Sequence, residues 1–286
     1  MRRLPTPVHK ARFVFTRCAE SIRNVDQKKN LLSVAGVIEI AETNYKEHAA
    51  NGTLFTIAEA TKVADSVTSA EMVSLYKNVF SRKDSKARYI YDAIKVATRI
   101  CPFCGHRRVA TLDHYLAKTR HPAFAVTPVN LVPSCYDCNV AKNTWQPVHA
   151  SEQIIHPYFD NIDDEVWLIA NLQESTPPAL VFDVASPATW DDVKRDRVLN
   201  HFRALGLGLL YSTYAAVELV NIRHYLIRIG SHQGANGVRD YLTEQAESRS
   251  AAAKNSWEFA TYEAVRKSEW FCQGGYKDIA TLGATA

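Results

Sequence analysis

The chain has 286 residues, 47% of them hydrophobic and 22% charged, with 34 Lys+Arg against 30 Asp+Glu. That length buries a full core in one large domain or two, and the composition is ordinary for a soluble globular protein. A net charge of +4 is too mild to mark a nucleic-acid binder by itself.

Charge is uneven at the start. Residues 1–30 hold Arg2, Arg3, Lys10, Arg12, Arg17, Arg23, Lys28 and Lys29 against Glu20 and Asp26. Such an end suits phosphates and equally suits a solvated helix face. No apolar stretch or small-residue cleavage site follows these charges, so the expectation is a cytoplasmic chain without an export signal. The first hundred residues read as helices. Val14, Cys18 and Ile22 form one stripe, and Leu31, Val34, Ile38, Ala41, Tyr45 and His48 form a second at steps of three and four. Both place Cys18 and His48 in a core. "NGT" at 51–53 is a break, and Thr68 with Glu71 has capping-box spacing. A third stripe, Tyr89, Ile90, Ala93, Ile94 and Ala97, leads into Cys101.

Residues 101–144 change character to Cys, Gly, Pro, His and Asn, with short apolar pieces such as "VATL" that suit a small hairpin. Further on, "EVWLIANL" and "ALVFDV" read as two strands near 165–184, separated by the turn-forming "QESTPP". Helical patterns return from Asp191: first around Val198 and Phe202, then over 204–229, 236–249 and 255–268, with glycines at 206, 208, 230 and 234 as punctuation. The apolar run from Ala204 to Val220 contains Ser212, Thr213 and Glu218, which marks a buried helix and no membrane span. The expected fold class is mainly α with a small α+β insert: a helical region over 1–99, a metal-clipped module over 100–147, and a mostly helical region over 148–286.

The module carries the chemistry. Four of the six cysteines fall in two Cys-x-x-Cys units, Cys101/Cys104 and Cys135/Cys138, and in a chain without an export signal this favours metal over disulfides. Two knuckles supply the four thiolates that a tetrahedral structural Zn²⁺ takes. Gly105 suits the tight turn of the first knuckle, and Pro102 stiffens it. Such a site is closed, so the zinc itself does no chemistry. Between and beside the knuckles lie Asp113 and His114 in "LDHYL", Asn130 in "VNLVPSC", and Asn139, Lys142 and Asn143 in "CYDCNVAKN".

This ordered set, Cys-x-x-Cys-Gly, then Asp-His, then "NLVPSC", then "CxxCNxxKN", resembles the HNH endonuclease family from Cys101 to Asn143 and no further. The resemblance implies a ββα-metal unit in which Asp113 and Asn139 give oxygen ligands to one Mg²⁺ or Mn²⁺. His114 then takes a proton from the attacking water. Many family members have His where this chain has Asn139, and hard oxygen donors fit the harder cations. Asn130 either orients His114 or braces the loop between the strands. Lys142 is placed to reach a phosphate, and Arg107, Arg108, Lys118 and Arg120 to line the substrate groove; a solvated basic face is the plainer account of all five. Tyr115 reads as packing, and His106 and His121 as surface residues or phosphate contacts.

The implied function is a metal-dependent endonuclease acting on DNA, an effector of a phage-defence or restriction system working as a homodimer or beside an ATPase subunit, with no membrane partner. A second reading keeps the zinc and drops the catalysis, leaving a module that binds nucleic acid or protein. A third, a redox protein using the Cys-x-x-Cys pairs, requires thiols that titrate freely.

Overall fold

A computed structural model describes residues 3–143 and 146–280 of the chain, which divides into two units, Met1–Asn161 and Ile162–Ala286. The architecture is mostly helical, with three small antiparallel strand pairs.

The first unit begins with α1 (Ala11–Ala19), α2 (Val25–Ser33) and α3 (Ala35–Ala50). The long stripe from Leu31 to His48 is thus shared by two helices. Ser33 Oγ donates to the Asn30 carbonyl at 2.7 Å, and the Val34 amide turns to Leu31 instead. A hairpin of two-residue strands follows, β1 (Lys62–Val63) and β2 (Val67–Thr68), within the first hundred residues that the sequence reads as helices. Its turn holds Ala64 and Asp65 at φ 47° and 56°, and strands this short leave no periodicity to read.

Thr68 then caps α4 (Ser69–Ser74) with the full capping box: the Glu71 amide donates to Thr68 Oγ1 and the Thr68 amide to Glu71 Oε2. The helix runs on into one π-helical segment, Leu75–Phe80. α5 (Arg88–Lys95) stops short of Ala97, because Thr98 Oγ1 bonds the Ile100 carbonyl and amide and turns the chain. β3 (Thr111–His114) pairs antiparallel with β4 (Leu131–Ser134), Asp113 opposite Val132 and His114 opposite Leu131, and α6 (Tyr136–Lys142) follows at once. Leu112, Ala125, Val126 and Leu131 are buried in one core with Phe15, Ile38, Met72 and Ile90. Residues 111–131 therefore share their interior with the helices before them.

In the second unit, β5 (Leu168–Gln173) and β6 (Ala179–Val184) form the hairpin expected near 165–184. Asn255 Oδ1 accepts from the Trp167 amide at 2.9 Å, fixing the start of that hairpin. Asp191 caps α7 (Asp192–Ala204) through the Lys194 amide at 2.7 Å. α8 (Leu207–Ala253) begins after left-handed Gly206 and breaks at Gly234 (φ 67°), so the expected 204–229 and 236–249 segments are its two halves. Gly208 and Gly230 lie inside the helix. α9 (Trp257–Lys267) and α10 (Glu269–Gln273) complete the unit. Leu207, Tyr211, Ala215 and Leu219 are buried, as expected of a core helix, and among the described residues no single helix is long and apolar enough to cross a membrane.

Candidate active site and metal centre

Cys101 and Cys104 sit on a turn that ends in Gly105, whose φ of 65° only a residue without Cβ takes easily. Cys135 is the residue before α6, and Cys138 lies in its first turn. All four are buried, and their Sγ atoms lie within 4.8 Å of one another. The Arg107 amide donates to Cys104 Sγ at 3.3 Å and the Cys138 amide to Cys135 Sγ at 3.4 Å, contacts that favour thiolate sulfur. The group can hold a metal ion, and its donor set suits structural zinc.

The Asp-His pair ends β3. The β4 turn and α6 bring Asn139 to the same place, and Asp113, His114, Asn139, Lys118 and Tyr76 line one open pocket of about 530 Å³. His114 is 5% exposed, and its Nε2 lies 2.8 Å from the Ala125 carbonyl oxygen. A carbonyl only accepts, so Nε2 carries the ring hydrogen and Nδ1 keeps the lone pair. Burial, then the nearby Lys118 ammonium, holds the imidazole well below its usual titration range, so it is neutral. Tyr76, from the π-helical segment, sets its ring edge-on to the imidazole at 4.4 Å and donates to the Leu112 carbonyl at 3.3 Å. Nothing in the sequence separates Tyr76 from an ordinary core tyrosine beside Leu75 and Val79.

Asp113 is buried too, and burial raises its carboxyl above the usual range despite the opposing Lys142 ammonium. Lys142 Nζ lies 3.3 Å from Asp113 Oδ2, within ion-pair distance but without hydrogen-bond alignment, so Oδ2 has no hydrogen-bond partner among the described residues. The same ammonium donates to the His114 carbonyl at 2.6 Å. Asn130 is fully buried. Its Oδ1 accepts from the Leu116 amide at 2.7 Å, its Nδ2 donates to the Leu116 and Phe124 carbonyls, and its own carbonyl accepts from the Tyr115 amide. It braces the loop that carries Ala125, and the Ala125 carbonyl orients His114.

The five cations expected along a groove separate. Lys118 alone lines the pocket, its ammonium 5.2 Å from the Tyr76 ring centre, and burial lowers its pKa. Lys142 is buried with its charge turned inward, so it presents no ammonium to a phosphate at the surface. Arg107 pairs with Asp137 at 3.1 Å beside the cysteines, and Arg120 pairs with Glu59 at 3.0 Å in a different depression. Arg108 is exposed and lines a separate cleft. His121 is buried against Phe124 instead of standing at the surface. Tyr115 packs as expected, its hydroxyl donating to the Ile154 carbonyl at 2.6 Å.

No family model matches the chain, and no solved structure matches it. The chain is 29% identical over 297 residues to Protein ea31 of Escherichia phage lambda, in an alignment that covers 96% of this chain and 100% of that protein.

Proposed function

We propose that this protein is a metal-dependent HNH-type endonuclease that hydrolyses phosphodiester bonds of DNA. The reading rests on one observation: Asp113 and His114 at the end of β3 and Asn139 on α6 line the same open pocket, with the His114 ring oriented by the Ala125 carbonyl. The β3–β4–α6 order is that of a ββα unit.

Asp113, with an oxygen that lacks a hydrogen-bond partner among the described residues although its side chain is buried, and the Asn139 amide oxygen are the residues that would hold Mg²⁺ or Mn²⁺. When bound, such a cation would supply positive charge for the oxygens of the pentacoordinate transition state and for the leaving 3′ oxygen. The protein's own part is proton transfer and positioning. His114 Nδ1 takes one proton from water as the water oxygen bonds to phosphorus. The bond from phosphorus to the 3′ oxygen breaks, and that oxygen is protonated by solvent. Ala125 and Tyr76 keep the imidazole in one tautomer and one plane. The four cysteines hold β3 and α6 in register through zinc and stay apart from the substrate. On the family resemblance, the nuclease would work in defence or restriction, as a homodimer or beside an ATPase subunit.

One feature favours the second reading, a zinc-stabilised binding module: the Lys142 ammonium already faces Asp113. Plasmid digestion with Mg²⁺ or Mn²⁺ separates the two. The wild-type chain should cut, and His114→Ala should lower the rate on the order of 10²- to 10⁴-fold with zinc content unchanged. Equal cutting by both chains removes His114 from the mechanism. No cutting by the wild type with any cation leaves the binding module.

A further inference from the structure

A second cleft, of about 800 Å³, lies beside the cysteines and plays no part in the reactions above. Its cationic lining is Lys95 from the last turn of α5 and Arg99 and Arg108 from the two chain segments that enter and leave the first cysteine knuckle. Those segments are tied together: the Val109 amide donates to the Arg99 carbonyl at 3.0 Å, the Cys101 amide to the Arg107 carbonyl at 2.8 Å, and Ile100 bridges antiparallel to Arg108. The two arginines are therefore carried on a ribbon closed at its tip by Cys101 and Cys104. The one acid in the cleft, Asp92, is already paired with Arg88 at 2.9 Å. Lys95, Arg99 and Arg108 have no carboxylate partner among the described residues, so the cleft carries uncompensated positive charge. Ordinary surface cations are balanced or dispersed; these three converge on one concavity.

We infer that this cleft binds the phosphodiester backbone of duplex DNA, as an anchoring site separate from the pocket of Asp113 and His114. The inference rests on the nuclease reading for the identity of its ligand. From Arg108 the chain runs on through Val109 and Ala110 into β3, and five residues at about 3.3 Å each separate Arg108 from Asp113 along an extended path. That reach, at most about 17 Å, is the rise of roughly five base pairs at 3.4 Å per strand, well within the length of a 20-base-pair duplex. Phosphate contacts of this kind fix register and orientation and read no bases. The cysteine knuckle then serves twice. It closes the fold, and it holds two arginines in place before DNA arrives, which spares the ordering of two long side chains on binding.

The test uses the full chain carrying His114→Ala, with no added divalent cation, and a fluorescein-labelled 20-base-pair duplex titrated at several salt concentrations. Changing Lys95, Arg99 and Arg108 together to Gln should weaken binding on the order of tenfold or more at 0.1 M salt. It should also flatten the dependence of log K on log salt by about two to three, since each phosphate contact contributes about 0.9. A control with the same change of net charge, the exposed Lys83, Arg203 and Lys277 to Gln, should bind as the parent does. Zinc content and the thermal midpoint establish that both variants are folded. Unchanged affinity and slope in the cleft variant, or an equal loss in the control, overturns the proposal. The two readings fail separately. If the chain with His114 restored cuts DNA while the cleft variant binds normally, the cleft is wrong and the nuclease stands. If that chain cuts nothing while the cleft variant loses binding, the cleft stands and the nuclease falls.

Discussion

The four thiols close on themselves. Cys101, Cys104, Cys135 and Cys138 lie within 4.8 Å of one another, and every donor comes from the short motif that announces them. The pocket beside them is assembled differently. Asp113, His114 and Asn139 come from the same motif, but His114 is held by Ala125 from the intervening loop and faced by Tyr76 from the π-helical segment in the helical front. Asp113 is faced by the ammonium of Lys142. A metal clip needs donors alone, because the ion supplies the organising energy. A reactive pocket needs its side chains held in one tautomer and one orientation before any ligand arrives, and that holding comes from groups outside the motif.

The contrast predicts a graded response to mutation. Cys135→Ser strikes the closed site and should have the largest effect. Structural zinc in small sites is worth on the order of 10 kcal/mol of folding, so zinc should be lost and residues 101–142 should exchange amide hydrogens freely. Retained zinc with full amide protection would show that the thiols do not organise this segment. Lys142→Met strikes the buried cation beside Asp113. It leaves Asp113 buried without its cation, which should cost about 3 kcal/mol in urea titration without Mg²⁺ or Mn²⁺. Adding Mn²⁺ should restore part of that loss and raise the thermal midpoint more than in the wild type. A variant as stable as wild type, or one indifferent to Mn²⁺, would separate Asp113 from cation binding. Arg120→Ala lies outside both sites and removes only an exposed pair with Glu59. Stability should change by about 0–1 kcal/mol and DNA cutting should stay at the wild-type rate; a fall in cutting would return Arg120 to the substrate groove.

What can be read from the sequence follows the same division. The clip is legible because identical soft donors at knuckle spacing have few other uses, and the order of Asp113, His114, Asn130 and Asn139 is legible because chain order survives folding. The capping box at Thr68 and the β5–β6 hairpin are legible because they are local. The fate of the cations is not. Lysine is almost always exposed, and only the placement of α6 against β3 turns Lys142 inward. Arg107 and Arg120 are drawn off by Asp137 and Glu59, the latter 61 residues away in the chain from Arg120, a pairing no spacing reveals. Tyr76 is hidden for a related reason. Its neighbour His114 is 38 residues further on, and a tyrosine among buried apolar residues has the same pattern whether it fills space or steadies a base.

The seven residues of α6 have a consequence for how the gene can change. Cys138 belongs to the thiol cluster, Asn139 to the pocket and Lys142 to the pair with Asp113, so three angular positions on one short cylinder are assigned at once. Replacement at exposed Tyr136, which lines neither the pocket nor the thiol cluster, disturbs none of them. Inserting or deleting one codon between Cys138 and Lys142 would swing the far end by about 100° and advance it by about 1.5 Å, parting Lys142 from Asp113 in a single step. This helix can drift in spelling but not in length.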